Sequence, residues 1–344
     1  MADSTPIAHP REVFAYEQGD AVETPFLDAL KRGRLHHAWL LCGPEGIGKA
    51  TFAYRAARRL LGAAADPALG LLGSDPESPV SRQVIAHSHP DLMVLERIGE
   101  DGKIRKVIPV DDARKLPEFF SKAPGSAPWR VAIADSVDDM NPNAANALLK
   151  TLEEPPERGI QLLVSHAPGG LLPTIRSRCR RLTFRPWAEA PVAAFVRART
   201  DLTEEAALRL ARMSKGSPGR ALELAARQAV AVDDAAHDLL AKLPDVDYAA
   251  MQALAESFRG PEGFPRFELL FERLADRVHA MEIEAAMTGP LASDRWAAAW
   301  ETLIRMPPEV EGLNLDRADA LWSAVAALRS AALGSAGLGL AGGA

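Results

Sequence analysis

Glycines and a lysine are spaced in residues 43–49 as they are in loops that bind phosphate. The run reads Gly43-Pro44-Glu45-Gly46-Ile47-Gly48-Lys49, which fits the pattern G-x-x-x-x-G-K. Glycines allow backbone N–H groups to close around phosphate oxygens, and the lysine reaches the β- and γ-phosphates. The run therefore predicts a P-loop in which Gly43, Gly46, Gly48 and Lys49 contact a nucleotide. The alternative is a glycine-rich turn that binds nothing.

The position after Lys49 lacks the hydroxyl group that P-loops use to hold Mg²⁺. That ligand is normally Ser or Thr, whereas this chain has Ala50. Thr51 comes one residue later and points from a different side of the predicted helix, so it does not simply replace the missing ligand. We expect Ala50 and Thr51 to lie next to a bound nucleotide and the site to lack productive Mg²⁺.

A buried strand ends at Asp135, where P-loop proteins place the carboxylate that helps to hold Mg²⁺. In hydrolysing members of the AAA+ class a Glu usually follows and orients the attacking water, but here Ser136 follows. Asp138 and Asp139 lie past the strand end, and we expect them in a solvated loop. Nucleotide binding through Lys49 and backbone amides therefore survives in this interpretation, but weakly and without hydrolysis.

Arginines crowd the ten-residue window 176–185. They are Arg176, Arg178, Arg180, Arg181 and Arg185. A guanidinium group is planar and always charged, so it suits phosphate groups and the charge that develops during phosphoryl transfer. A basic turn at a sheet edge and a patch for the DNA backbone are the other interpretations.

Composition restricts the remaining classes of function. The chain has 344 residues, enough for two or three domains, and a net charge of −6, which argues against a nucleic-acid footprint over the whole surface. Its two cysteines cannot form a four-cysteine zinc site, and the histidines of the 62–90 loop cannot complete one, so we expect no zinc. No signal-like or membrane-spanning apolar stretch is present, which predicts a cytoplasmic protein.

Short apolar strands separated by helices position these residues. Strands are predicted at 38–42, 91–95, 130–135, 160–165 and 181–184, with a helix after the P-loop and another between the third and fourth strands. Asn141 caps that second helix, Pro142 occupies its first turn and Pro155-Pro156 stops it. This order predicts an α/β domain with a parallel sheet covered by helices on both faces.

The sequence beyond residue 186 is Ala- and Leu-rich and has helical periodicity. We predict a P-loop domain over 1–186, a small helical lid over 187–232, an all-α C-terminal domain over 233–333 and a disordered Gly-rich tail over 334–344. The predicted helices include one that starts at Ser217-Pro218 and others at 233–258, 264–287, 292–305 and 316–333. A stripe of apolar residues from Phe264 to Met281 marks a core-facing side of one of them.

Two longer motifs resemble the AAA+ subunits of bacterial clamp loaders. One is Asn146-Ala147-Leu148-Leu149-Lys150-Thr151-Leu152-Glu153-Glu154-Pro155-Pro156, and the other is Thr174-Ile175-Arg176-Ser177-Arg178-Cys179 with its Ser-Arg-Cys core. His36–Leu41 and His89-Pro90-Asp91 fit the same family. The resemblance spans about residues 10–225. It implies an AAA+ fold with a helical lid and a helical collar that forms a ring.

Within that family the chain resembles the stationary delta-prime type, because motor subunits carry Lys-Thr and Asp-Glu where this chain has Lys49-Ala50 and Asp135-Ser136. The resemblance implies a subunit of DNA polymerase III that is not catalytic alone. Its partners would be gamma/tau and delta in a hetero-pentamer, and, through the complex, the sliding clamp and primer-template DNA. Arg178 would enter a neighbour's ATP site as an arginine finger.

The resemblance also assigns the two sensor positions. Ser165 stands where the family has its first sensor, and His166 adjoins it. Either could reach a γ-phosphate, and an ordinary polar residue at a strand end is the alternative. Motor subunits have their second sensor arginine where this chain has Gly219, and Arg220 is one position late. Two other functions stay open: an active ATPase of the gamma/tau type, and a small-molecule P-loop kinase.

Overall fold

Five parallel strands form one sheet in the computed structural model, which describes residues 7–17, 19–99, 103–260, 263–287 and 290–336. The strands are β1 (Ala38–Cys42), β2 (Leu92–Glu96), β3 (Arg130–Asp135), β4 (Gly159–Ser165) and β5 (Arg180–Thr183). Their order across the sheet is β2-β3-β4-β1-β5. The near-continuous apolar sequences of β1, β3 and β4 follow from burial on both faces.

Helices cover both faces of this sheet, so the predicted fold class is confirmed. The helices of this region are α1 (Asp20–Lys31), α2 (Lys49–Leu60), α3 (Pro79–Ile85), α4 (Val110–Arg114), α5 (Leu116–Ser121), α6 (Pro142–Glu153) and α7 (Pro173–Arg178). Trp39 and Leu41 of β1 pack with Phe26 and Phe52 on one face, whereas Leu40 packs with Leu148 of α6 on the other. Alternate residues of a strand point to opposite faces, which produces these two cores.

The chain divides into two compact units, Met1–Glu223 and Leu224–Ala344. After β5 the first unit continues with α8 (Glu189–Arg197), α9 (Glu204–Met213) and the start of α10 (Pro218–Ala226). The second unit contains α11 (Ala229–Ala241), α12 (Tyr248–Glu256), α13 (Gly263–Ala286), α14 (Pro290–Leu313) and α15 (Arg317–Ala336). The division into three domains with boundaries at 186 and 232 stays a prediction.

Local signals placed some helix ends correctly. The Asn141 side chain accepts a hydrogen bond from the Ala144 N–H at 2.9 Å, which is the predicted N-cap of α6, and α6 ends at Glu153 before the two prolines. On α13, Phe267, Leu270, Leu274 and Val278 of the predicted stripe are buried. Core packing is therefore confirmed for these four residues.

Other helices differ from the sequence-based expectation. The stretch 233–258 holds two helices, because Pro244 between α11 and α12 has no N–H for a helical hydrogen bond and its ring clashes with the preceding turn. The helix predicted at 292–305 extends to Leu313 through Pro307 and Pro308. Part of the 62–90 loop is helical, since α3 spans Pro79–Ile85.

The first and last α-helices of the described chain are α1 and α15. Helix α15 reaches Ala336 and so includes the first three residues of the predicted disordered tail, whereas 337–344 lie outside the described residues. At the other end, the first α-helix, α1, starts at Asp20. None of the helices in the described part of the chain is both long and apolar enough to cross a membrane.

Candidate functional site

The carboxyl ends of the parallel strands bring the predicted site residues to one edge of the sheet. The P-loop follows β1, Asp135 ends β3 and Ser165 ends β4, and β1 lies between β4 and β5. Ligands of open α/β sheets bind at this edge, beside the point where the strand order reverses. The sheet therefore places Gly43–Lys49, Asp135 and Ser165 in one neighbourhood, as the sequence predicts.

The P-loop has the backbone conformation that its glycines allow. Gly46 has a φ of +69° and Gly48 a φ of +96°, values that L side chains rarely adopt. Lys49 is the first residue of α2, so the loop leads directly to a helix N-terminus. Ala50 and Thr51 occupy the next two positions of that helix, and the methyl group of Ala50 offers no oxygen to a metal ion.

Lys49 is only 3% exposed and contacts acceptors from its own chain. Its Nζ donates to Gly43 O at 2.7 Å and to Pro44 O at 2.5 Å, and it lies 2.9 Å from Nδ1 of His166. Burial lowers the pKa of Lys49 to about 8, against the opposing effects of Asp135 and Glu45. An ammonium group has three donors, so these contacts match its whole donor capacity.

The first residues of α10 lie directly on the P-loop. Gly219 N donates to Gly46 O at 2.8 Å, and the Ser217 hydroxyl donates to Glu45 O. A Cβ atom at Gly46 would lie 2.5 Å from Arg220 N, which is closer than any real contact of this kind. The guanidinium of Arg220 itself pairs with Glu223 at 2.8 Å. Backbone from α10 thus covers the middle of the loop.

Tyr16 covers the other end of the loop. A Cβ atom at Gly48 would lie 2.7 Å from the Tyr16 ring and 2.9 Å from its hydroxyl. Burial raises the pKa of Tyr16 well above its usual range. Loop glycines that normally face phosphate therefore face Tyr16 and α10, and Lys49 faces carbonyl groups. In this arrangement the residues do not fit a bound Mg²⁺–nucleotide.

Asp138 and Asp139 are half-buried and hydrogen-bonded, so the expectation that they lie in a solvated loop was wrong. Asp138 accepts hydrogen bonds from the Ser165 hydroxyl at 2.9 Å and from the His166 N–H at 2.6 Å. Asp139 accepts one from the Ser136 hydroxyl at 3.0 Å. Asp138 therefore links the segment after β3 to the end of β4, where N–H and O–H groups need acceptors. Asp139 bonds within its own segment and pairs with Arg97 at 3.2 Å.

The charged form of the Asp135 carboxyl group is unfavourable in the folded protein. Burial raises its pKa to about 6, although Lys49 acts in the opposite direction. We expect Asp135→Asn to increase the free energy of unfolding at pH 7 by about 2 kcal/mol, because the neutral amide has no charge to desolvate. A carboxyl group with a raised native pKa binds more protons in the folded state. Wild-type stability should therefore fall as the pH rises from about 4 to about 6.

Urea unfolding between pH 4 and pH 8 measures this effect. The pH-dependent loss of stability should be smaller in Asp135→Asn, and Asp111→Asn, on an exposed side chain of α4, serves as the matched control. An Asp135→Asn variant that is less stable than wild type at pH 7 would contradict the assignment.

Arg178 is far from Lys49 in sequence and, unlike Lys49, is partly exposed. It is the last residue of α7, which is a short helix. One interpretation of the sequence predicts a basic turn at a sheet edge here. Its side chain is 36% exposed and lies 3.1 Å from Glu153 of α6. Burial raises the pKa of the adjacent Cys179 thiol to about 12, so this cysteine is not an activated nucleophile.

Sequence reasoning missed Tyr16 as a contact of the loop. It comes from a segment before α1, and nothing in its local pattern indicates that it packs on Gly48. Ser217 carried a signal, since a Ser before Pro218 is a typical helix start, but its hydroxyl donates to Glu45 O. Within the described ranges, no three His, Cys, Asp or Glu side chains are grouped as a metal site would require.

The family model and the relatives that match this chain are all subunits of DNA polymerase III. Residues 19–188 match the family model described as DNA polymerase III, delta subunit. The chain is 39% identical over 188 residues to DNA polymerase III subunit delta' of Pseudomonas aeruginosa, which covers 54% of this chain and 55% of that protein. It is 32% identical over 199 residues to subunit delta' of Escherichia coli, covering 56% and 55%.

A subunit of the gamma/tau type is similar over more of this chain. DNA polymerase III subunit tau of Escherichia coli is 30% identical over 295 residues, which is 82% of this chain and 40% of the tau subunit. The chain thus spans about half of the length of the two delta' relatives and less than half of tau.

Proposed function

Since the chain belongs, through residues 19–188, to the family of DNA polymerase III delta subunits, we propose that it is the delta-prime subunit of a clamp loader. In this proposal the protein does not hydrolyse ATP. It holds its place in a hetero-pentamer with gamma/tau and delta and supplies Arg178 as an arginine finger to a neighbouring gamma/tau ATPase. Through the complex, it takes part in loading the sliding clamp onto primer-template DNA in the cytoplasm.

The observation that carries the proposal is a partly exposed Arg178 together with a P-loop that lacks its catalytic groups. Arg178 follows Ser177 at the end of α7 and is more than a third exposed. In the P-loop, Ala50 replaces the hydroxyl ligand of Mg²⁺ and Ser136 replaces the glutamate after Asp135. A planar guanidinium can stabilise charge on another subunit's γ-phosphate, whereas this chain's own loop lacks two parts of a hydrolytic site.

Contacts around the loop support weak nucleotide binding. A nucleotide would have to displace the carbonyl groups and His166 from Lys49, and the backbone of α10 from Gly46. Each lost hydrogen bond between buried groups must be replaced by one to phosphate, so the net gain is small. We propose that ATP or ADP binds weakly here, without productive Mg²⁺, and that the chain holds no zinc.

The second candidate function is an active ATPase of the gamma/tau type. It is favoured by the 30% identity to tau over 82% of this chain. It requires Thr51 to serve as the Mg²⁺ ligand and another acid to orient water. Asp138 and Asp139 are engaged by Ser165, His166 and Ser136, which leaves this function without a free carboxylate at the expected place.

ATP turnover by the purified full chain distinguishes the two functions. With Mg²⁺ present, we expect no turnover above that of a Lys49→Ala variant, because both the metal ligand and the water-orienting acid are missing. Turnover that is abolished by Lys49→Ala would instead support the motor-type function. The Ala50→Thr variant is a control that restores the hydroxyl ligand of Mg²⁺ but not the glutamate missing at Ser136, so it should also show no turnover.

A further inference from the structure

Two groups of its own chain hold the guanidinium of Arg178. Its NH2 nitrogen lies 3.1 Å from Oε1 of Glu153, and its NH1 nitrogen donates to Thr174 O at 3.2 Å. Glu153 ends α6, whereas Thr174 and Arg178 both belong to α7. The end of the Arg178 side chain is thus fixed between two helices rather than free in solvent.

The position of Glu153 is unfavourable for its own helix. An acidic side chain at a helix C-terminus meets the negative end of the helix dipole. Glu153 is the last residue of α6, and Glu154 follows as its C-cap. Among the described residues, Arg178 is the ion-pair partner of Glu153, whereas Glu154 has none. The presence of a glutamate at position 153 is therefore not explained by stabilisation of α6. It is explained by the ion pair with Arg178.

A guanidinium keeps donors available after both contacts are made. It has five N–H donors in one rigid plane, and one contact to Glu153 and one to Thr174 leave three. Two fixed points on a planar group define the direction of the remaining donors. A finger with a fixed direction loses less rotational freedom when it meets a phosphate.

We propose that Glu153 is a positioning residue that orients Arg178 for its task in the neighbouring ATP site. This inference rests on the proposed function, because it needs Arg178 to act in a partner subunit. Glu153 does not touch the nucleotide. It sets the direction of the guanidinium, and its loss leaves Arg178 charged but less well ordered.

The test uses the reconstituted complex with gamma/tau and delta, and measures ATP turnover stimulated by clamp and primed DNA. Glu153→Gln should lower kcat about three- to fivefold, the effect of one partly exposed ion pair, with little change in KM for ATP. Glu154→Gln, with the same change one residue away, should leave kcat unchanged. In an Arg178→Ala background, Glu153→Gln should have no further effect, because it acts through Arg178.

Each outcome separates this inference from the proposed function. If Arg178→Ala lowers turnover but Glu153→Gln equals Glu154→Gln, the positioning role is wrong and the finger stands. If Glu153→Gln still lowers turnover when Arg178 is alanine, Glu153 acts by another route and the inference fails. If Arg178→Ala has no effect on turnover, the proposed function fails and the inference with it. Circular dichroism melting of each variant should match wild type, which excludes loss of folding as the cause.

Discussion

Replacing Arg178 with alanine is expected to slow ATP hydrolysis in the neighbouring motor subunit by roughly 10³–10⁵-fold, the range known for arginine fingers of P-loop proteins. The guanidinium stabilises charge that develops on the γ-phosphate, and alanine leaves that charge without a donor. The effect belongs to the one site that this chain would serve. It is therefore best measured by single-turnover kinetics in a complex whose other ATP sites are inactivated.

Two variants control for charge and for the surroundings. Arg178→Lys keeps the positive charge but loses the planar fork, so it should recover only part of the rate. Arg176→Ala removes another arginine of the same short helix, and it should leave turnover near the wild-type value. Unchanged turnover in Arg178→Ala, with the complex still assembled, would remove the arginine finger from the proposed function.

Replacing Glu23 with alanine is expected to destabilise the first unit by about 3–5 kcal/mol. Glu23 and Arg55 are each only 1% exposed and form an ion pair of 2.9 Å between α1 and α2. Glu23 also accepts a hydrogen bond from the Leu72 N–H at 3.0 Å. Without the carboxylate, Arg55 stays buried with an uncompensated charge, and the Leu72 N–H loses its acceptor.

Urea unfolding of the single and double variants measures this loss. Glu23→Leu combined with Arg55→Met should be much more stable than Glu23→Ala, because no unpaired charge remains. Glu17→Ala is the matched control: its pair with Arg199 is 2.8 Å long but well exposed, so it should cost less than about 1 kcal/mol. Equal losses in Glu17→Ala and Glu23→Ala would contradict this account.

The sheet and its site could be predicted because their signals are local. Each buried strand is a short apolar run, and Asn141 and Pro142 mark the start of α6 within two residues. The P-loop residues and Asp135 then follow from the rule that parallel strands end at one edge. In this part of the chain, spacing and residue type contain nearly all of the information.

Contacts between distant segments could not be predicted in the same way. The partner of Glu23 is Arg55, and the group that covers Gly48 is Tyr16. Neither residue has a neighbour in sequence that indicates its partner, because such pairs depend on how α1 and the segment before it pack on α2. Asp138 was misjudged for the same reason: its partners Ser165 and His166 lie at the end of another strand, β4.

The close approach of Gly46 and Gly219 bears on what a hydrolysing variant of this chain would need. Ala50→Thr and Ser136→Glu would restore both missing catalytic groups, but the Gly219 N–H would still bond to Gly46 O at 2.8 Å. A side chain at either glycine would collide with the backbone of the other segment. A nucleotide would still have to displace this contact before the two restored groups could act. In the proposed function, a gain of hydrolysis would thus depend on the contact between the P-loop and α10 as well as on the two missing side chains.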